Sequence, residues 1–160
     1  MATAKQKETL ADTQATVLHQ DTEHTVYHLD DADGEVVQTV YPVFPGIEIA
    51  YHDVHATFCA MQRTHASGCL EIHHCREGRM DYAASDNLVA YTAAGDMKLD
   101  LREQHTGTFH FPSCHSHGLT VAFDRNIVKE SLPCEVRDFP ATPEKIIERW
   151  QLGSTPRVVH

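Results

Sequence analysis

The sequence predicts an all-β protein, a sandwich or a barrel, with one or two short helices at its carboxyl end. Three observations indicate this class. Short runs of apolar and β-branched residues recur about every 8–12 residues, turn residues such as Gly, Asp and Pro separate them, and no helical pattern intervenes. A parallel α/β sheet is disfavoured because it needs a helix in each crossover. Full closure or a double-sheet jelly roll would also protect the edge strands.

The elements follow one another along a single domain of residues 22–160. Residues 1–21 are polar and lack an apolar stripe, so they are expected to form a flexible arm or a weak helix. Each strand after that is bounded by turn residues, of which Asp31–Gly34 and Pro45–Gly46 are examples. The predicted strands are 25–29, 35–44, 47–52, 57–62, 69–75, 79–82, 88–91, 97–101, 106–111 and 119–123.

The periodicity changes only near the carboxyl end. Residues 126–131 favour a helical turn. A second helix is predicted to start after Thr142, which precedes a proline and a glutamate, and to end near Gly153. Its apolar residues either dock on the barrel or form a dimer contact: Ile146, Ile147 and Trp150. Residues 157–160 begin another strand, so we expect the chain to be a piece of a longer protein.

Composition excludes several classes of protein. The net charge of −10 over 160 residues argues against nucleic-acid binding by the chain itself, because phosphate backbones are held by clustered Lys and Arg. Five cysteines, an odd number, without an apolar signal stretch predict reduced thiols and a cytoplasmic location. No run approaches the roughly 18 apolar residues of a membrane span, so we expect a soluble protein without membrane contact.

The most informative stretch is residues 69–82. Polar and apolar side chains alternate from Cys69, which puts Glu71, His73 and Cys75 on one face. We expect this face to line the inside of the barrel, because cysteine is among the most buried residue types. Residues 76–79 are predicted to form the tight turn of a hairpin, in which Gly78 supplies a positive φ.

Read as Leu-Glu-Ile-His-His-Cys-Arg-Glu-Gly-Arg-Met-Asp, this stretch resembles a signature of the amino-terminal sensor domains in one branch of the AraC-type transcriptional regulators. Further segments resemble the same family in order and spacing, so that the resemblance covers roughly residues 43–124, about half of the chain. These segments are Val43–Glu48, Tyr51–His55, Gly95–Asp96 and His117–Leu119.

The resemblance implies a cupin-like double-sheet barrel that binds a small-molecule effector and forms a homodimer. It also implies that DNA is bound through a carboxy-terminal pair of helix-turn-helix motifs, which this chain lacks. Under this interpretation the chain is not an enzyme, has no catalytic residues and needs no cofactor. The alternatives are a metal-dependent cupin enzyme and a stand-alone small-molecule binder. The resemblance does not name the effector, because a barrel's shape does not encode which molecule fits.

Six residues are expected to bind the ligand. Arg79 offers bidentate binding of an acidic group, with pairing to a carboxylate across the hairpin as the alternative. The aromatic residues either line an apolar cavity or belong to the ordinary core. The six residues are Glu71, His73, Cys75, Arg79, Phe109 and Phe111.

No functional metal is expected. Glu71, His73 and Cys75 are all competent ligands, but residues i and i+4 of a strand lie about 13 Å apart and cannot close on one ion. Cupin-type barrels often carry a metal on a strand with an H-x-H pair, whereas His115 and His117 fall in a predicted loop. Candidate metal ligands, should one bind, are His73, Cys114, His115 and His117.

Overall fold

The computed structural model describes residues 15–29, 32–64, 68–101, 104–131 and 142–160. Its strands are β1 (Ala15–Gln20), β2 (Thr25–Leu29), β3 (Glu35–Phe44), β4 (Ile47–His55), β5 (Phe58–Thr64), β6 (Cys69–Ser85), β7 (Leu88–Ala93), β8 (Met97–Asp100), β9 (Gln104–His110), β10 (Ser116–Asp124) and β11 (Arg157–Val159). The helices are α1 (Arg125–Ser131) and α2 (Pro143–Trp150).

Two curled antiparallel sheets share strand β6. The first sheet has the order β1-β2-β3-β4-β10-β6-β8-β11. In the second sheet, β9 pairs with β5 and with β6, and β6 also pairs with β7. All the pairings recorded between these strands are antiparallel. The predicted all-β, double-sheet class is therefore confirmed.

The predicted hairpin turn at residues 76–79 is wrong. Strand β6 runs without reversal through this segment, pairing with β10 up to Gly78 and with β7 from Arg79 onward. Gly78 does have a positive φ of 78°. A Cβ there would lie 2.0 Å from the carbonyl oxygen of His115, so the glycine allows close approach of β10 where β6 passes from one sheet to the other. The reversal comes later, at the two residues between Ser85 and Leu88.

Part of the segment predicted to be an amino-terminal arm is a strand instead. Ala15–Gln20, predicted to be part of an arm or a weak helix, forms β1 and pairs with β2 through registers such as Thr16 with His28. Its side chains are almost all exposed, so the sequence shows no apolar stripe although the backbone is paired. Residues 1–14 of the expected arm, and Asp31 of the expected turn, lie outside the described residues.

The core lies between the two sheets, because its side chains come from both. The buried cluster draws on β2, β3 and β4 of the first sheet and on β5 and the residue after β9 of the second, with Met80 and Phe109 packed against it. Its members are Leu29, Val36, Val54, Ala56, Cys59 and Phe111.

The helices agree closely with prediction. Thr142 caps α2 by accepting a hydrogen bond from the amide of Lys145, and a proline occupies the first turn. The helix ends at Trp150 because Gln151 adopts the left-handed conformation with a φ of 48°, two residues before the glycine that was expected to end it. Neither of the two described helices is long and apolar enough to cross a membrane.

Candidate functional site

A cavity of about 80 Å³ opens between the two sheets. One part of its wall is apolar and belongs to the buried cluster between the sheets. The other part is polar and comes from four neighbouring strands of the first sheet and from β6, which both sheets share. The polar lining residues are Gln38, His52, Glu71, His73, Lys98, Ser116 and Thr120.

The strand register brings these polar residues together. His52 on β4 lies opposite Gln38 on β3. His73 on β6 lies opposite Thr120 on β10 and, on its other side, opposite Lys98 on β8. Side chains on neighbouring strands at paired positions share a face, so these residues form a continuous polar strip across the sheet.

A single hydroxyl connects two imidazoles in this strip. The Oγ1 atom of Thr120 lies 2.8 Å from Nε2 of His52 and 3.0 Å from Nδ1 of His73. The two rings meet edge to face with 5.5 Å between their centroids. A hydroxyl has one proton to donate and two lone pairs that accept. Thr120 can therefore accept a hydrogen bond from one imidazole and donate one to the other, in either order.

His73 is the most constrained titratable group of the cavity. It is 8% exposed, and burial, together with the nearby His52 and Lys98, holds its pKa well below the ordinary value of 6.5. The imidazole is therefore neutral at physiological pH. Its Nε2 atom is buried and has no hydrogen-bond partner among the described residues, although buried ring nitrogens are nearly always paired.

Gly118 makes room for this imidazole. A Cβ built on Gly118 would lie 2.8 Å from Cε1 of His73 and 2.9 Å from the carbonyl oxygen of His74. Real Cβ atoms do not approach other heavy atoms so closely, so a side chain at this position would displace the ring or the strand. The glycine lies between the cavity-lining residues Ser116 and Thr120 on the inner face of β10.

Lys98 brings a cation to the wall of the cavity. Its side chain is 5% exposed, and its Nζ atom lies 3.4 Å from a carboxylate oxygen of Asp100 and 4.8 Å from the centre of the Tyr82 ring. The ion pair and the ring face together offset the cost of burying the charge. Asp100, at 1% exposed, lies opposite Glu71 across β6 and β8.

Four of the six residues predicted to bind ligand lie on the cavity wall: Glu71, His73, Phe109 and Phe111. Glu71 is 6% exposed, and Leu70 on the opposite face of the strand is fully buried. The predicted orientation of β6, with Glu71 and His73 facing inward, is therefore observed in the structure.

Cys75 does not line the cavity. It lies on the same face of β6, but the register with β10 shifts between His117 and Gly118, where Cys75 is paired. Its thiol instead lies near the carbonyl oxygens of Glu77 and Gly78, at 3.5 and 3.7 Å. Burial raises the pKa of this thiol, so it has no thiolate character.

Arg79 also lies away from the cavity. Its Nε atom is 2.6 Å from a carboxylate oxygen of Asp81, and its guanidinium lies 4.2 Å from the centre of the Tyr91 ring, on the outside of β6 and β7. The bond to Asp81 raises the pKa of the guanidinium. The structure therefore shows the alternative of pairing with a carboxylate, and Arg79 is not among the residues that line this cavity.

Sequence reasoning missed His52, Lys98 and Thr120 as residues of the site. Each lies in a correctly predicted strand, so alternation alone gave each an even chance of facing inward. His52 belongs to a segment of the family resemblance, but that resemblance assigns it no role. The missing information was the pairing between distant strands, since Thr120 and His73 are separated by 47 positions.

Two groups of three side chains among the described residues could hold a metal ion. In each, the ligand atoms lie within 4.8 Å of one another. One group is His55, His115 and His117, and the other is His19, Asp21 and His24. Neither contains a residue of the cavity.

Comparison with known proteins shows no match to a protein-family model and no match to a curated protein. Among solved structures, an HTH_3 family transcriptional regulator from Vibrio cholerae is similar at 18% identity and a TM-score of 0.41, over 54% of this chain and 50% of that chain. The match thus spans only half of the regulator.

Two further solved structures are similar. Ethanolamine utilization protein Q from Salmonella typhimurium matches at 17% identity and a TM-score of 0.46, over 69% of this chain and 94% of that chain. Oxalate decarboxylase from Bacillus subtilis matches at 10% identity and a TM-score of 0.44, over 85% of this chain and 38% of that chain. Likeness at this level concerns the β-framework and does not assign an activity.

Proposed function

We propose that this chain is the effector-binding domain of an AraC-type transcriptional regulator and that its interior cavity binds a small polar molecule. The sequence resemblance over residues 43–124 supports the regulator assignment. In this proposal the domain forms a homodimer, and a separate helix-turn-helix domain contacts DNA. The net charge of −10 supports the last point, because it disfavours a phosphate backbone as the direct partner of this domain.

The observation that carries the binding proposal is the buried Nε2 atom of His73. His73 lines the cavity, and this nitrogen has no hydrogen-bond partner among the described residues. A buried polar atom without a partner costs about 1–3 kcal/mol, which a bound polar molecule would recover. If Thr120 donates to Nδ1 of His73, the Nε2 atom carries the ring proton and donates to a ligand. If Thr120 accepts from Nδ1, Nε2 accepts instead. A carbonyl, a carboxylate or a hydroxyl group could therefore each pair with Nε2.

The dimensions of the cavity restrict the ligand. Its volume of about 80 Å³ is roughly half that of an engineered cavity of about 150 Å³ that admits benzene. A molecule smaller than benzene, which has six non-hydrogen atoms, therefore fits without rearrangement. Lys98 favours an anionic group at one end of the ligand, and the apolar wall formed by Phe109 and Phe111 favours a short hydrocarbon portion at the other.

Ligand-detected saturation-transfer NMR with a panel of two- and three-carbon monocarboxylates, amides and alcohols tests this proposal. We expect at least one class to bind the wild-type chain and to lose at least tenfold in affinity in His73→Ala and Thr120→Val. Arg79→Ala is the matched control, because Arg79 lies away from the cavity and its loss should leave the affinity unchanged. Circular dichroism establishes that each variant is folded.

The same spectra separate the alternatives. New product resonances that require the chain would favour an enzyme over a sensor. Binding that is equally strong in His73→Ala and in the wild type would place the ligand elsewhere and contradict the cavity proposal. Analytical ultracentrifugation with and without the bound compound tests the homodimer.

A further inference from the structure

A cluster of three histidines lies on the outer face of the first sheet. His117 at the start of β10 is paired with Asp53 on β4 and with Glu77 on β6, so the three residues form a row across three strands. His55 follows Asp53 by two residues and His115 precedes His117 by two residues, which puts both next to this row. Inner-face neighbours such as Val54 and Ser116 line the cavity, so the cluster is on the opposite side of the sheet.

The three imidazoles are close together. The ring centroids of His115 and His117 are 4.4 Å apart, and His55 lies 5.2 and 5.7 Å from them. One ring nitrogen of each lies within 4.8 Å of the others. A tetrahedral zinc ion with Zn–N bonds of about 2.0–2.1 Å needs its nitrogens about 3.3 Å apart, so small side-chain rotations would close the site.

Two carboxylates hold these rings from outside. An oxygen of Asp53 lies 2.6 Å from Nε2 of His117 and 3.0 Å from Nε2 of His55, and an oxygen of Glu77 lies 3.2 Å from Nε2 of His115. Histidines that ligate a metal commonly donate a ring N–H to a carboxylate, and Asp53 and Glu77 are carboxylates within reach of these rings.

We propose that His55, His115 and His117 bind one divalent transition-metal ion, zinc in the first instance, on the outer face of the first sheet. Three imidazoles with an open fourth position form a recognised zinc ligand set, and imidazole suits zinc, copper and nickel better than magnesium or calcium. The partial exposure of the ligands makes the ion exchangeable, and the two carboxylates add the negative charge that favours a cation.

This site differs from the metal ligands that the sequence offers. The sequence argues against His115 and His117 because they fall in a predicted loop before a strand. The pairing of β10 with β4 supplies a third ligand, His55, from 60 positions earlier in the chain than His115. Neither His73 nor Cys114 belongs to the group.

The other three-residue group is a weaker candidate. Both carboxylate oxygens of Asp21 already accept hydrogen bonds: Oδ1 from the amides of Glu23 and His24, at 2.8 Å each, and Oδ2 from the ring of His19, at 3.1 Å. Asp21 therefore closes the turn between β1 and β2, and a metal would have to compete with those bonds.

Equilibrium dialysis of the untagged chain against zinc sulfate, followed by elemental analysis, tests the proposal. We expect one zinc per wild-type chain. Affinity should fall at least tenfold in His55→Ala and in His117→Ala, and one-to-one binding should vanish in the triple variant with His115→Ala added. Asp53→Asn should weaken binding by about 10- to 100-fold, as loss of an outer carboxylate does at other zinc sites. Cobalt in place of zinc should give the visible absorption of a tetrahedral site.

Two controls keep the proposal falsifiable. His110→Ala removes an exposed histidine of β9 outside the cluster and should leave zinc binding unchanged. The double variant His19→Ala/His24→Ala should also bind one zinc. The proposal is overturned if the wild type binds no stoichiometric zinc, if the folded triple variant still binds one, or if only the double variant loses it.

Discussion

Thr120 Oγ1 lies 3.0 Å from Nδ1 of His73, and the two residues face each other on neighbouring strands. The same oxygen lies 2.8 Å from Nε2 of His52. One hydroxyl thus provides hydrogen bonds to two imidazoles that strand pairing has turned into the cavity. This hydroxyl therefore connects His52 and His73 within the polar strip.

Replacement of Thr120 by Val should therefore destabilise the fold. The substitution keeps the shape of the side chain but removes the partner of two ring nitrogens, so the free energy of unfolding should fall by about 1–3 kcal/mol. Thr120→Ser retains the hydroxyl, so its free energy of unfolding should fall clearly less than that of Thr120→Val. Urea denaturation at pH 7.5 measures both. Equal stability of Thr120→Val and the wild type would show that the hydrogen bonds of the Thr120 hydroxyl to the two imidazoles do not stabilise the fold.

The stability of the protein should depend on pH through His73. Its pKa in the folded state lies well below the unfolded value of about 6.5, because the buried ring is held neutral. Only the unfolded chain takes up this proton as pH falls below about 6.5. The free energy of unfolding should then decrease by up to about 1.4 kcal/mol per pH unit from this group.

His73→Gln removes that titration. We expect the free energy of unfolding of the wild type, relative to that of the variant, to be constant above about pH 6.5. It should fall between about pH 6.5 and 5, as followed by urea denaturation at each pH. A constant difference over this range would mean that His73 titrates alike in the folded and unfolded states.

Gly118→Ala should disturb the cavity directly. The added Cβ would lie 2.8 Å from the His73 ring and 2.9 Å from a backbone oxygen, so overpacking should cost about 1–3 kcal/mol and weaken ligand binding together with stability. Gly153→Ala is the matched control, because a Cβ there meets nothing within 4 Å, and its effect should stay within about 1 kcal/mol. Thermal unfolding in parallel decides the comparison.

Asp96 should contribute to stability at neutral pH but not in acid. The backbone amide of Ala93 and, next, the ring of His160 donate to its carboxylate at 2.8 and 2.7 Å, which lowers its pKa below the usual 3.8. A lowered carboxyl pKa stabilises the fold above the unfolded value of about 3.9, and that contribution is lost as pH falls through the folded value. Asp96→Asn should thus be less stable than wild type at pH 7.

The difference between Asp96→Asn and wild type should narrow below about pH 4, as measured by thermal unfolding in buffers from pH 7 to pH 3. His160→Ala, which removes one donor and leaves the carboxylate, should show a smaller loss at pH 7. A difference that stays the same in acid would contradict the role of the ionised carboxylate.

Local sequence signals by themselves predicted both helices and most strands of this protein, although not β1 or the continuity of β6. Turn residues such as Pro45–Gly46 and the cap at Thr142 act over a few neighbouring positions. Their effects can therefore be predicted from a short stretch of sequence. Alternation in β6 likewise determined that Glu71 and His73 share one face, since the period of a strand is two. The same local logic misread Gly78, because a positive φ suits both a hairpin turn and a close approach between strands.

Tertiary structure alone decided which distant residues meet. The order and register of β10, β6 and β8 bring Thr120 and Lys98 next to His73. The pairing of β10 with β4 likewise brings His55 close to His117. Register is set by the packing of whole faces against the core, and a shift of one residue would exchange every inner and outer side chain. That choice depends on the free energy of the assembled sheets, which no short stretch of the chain contains.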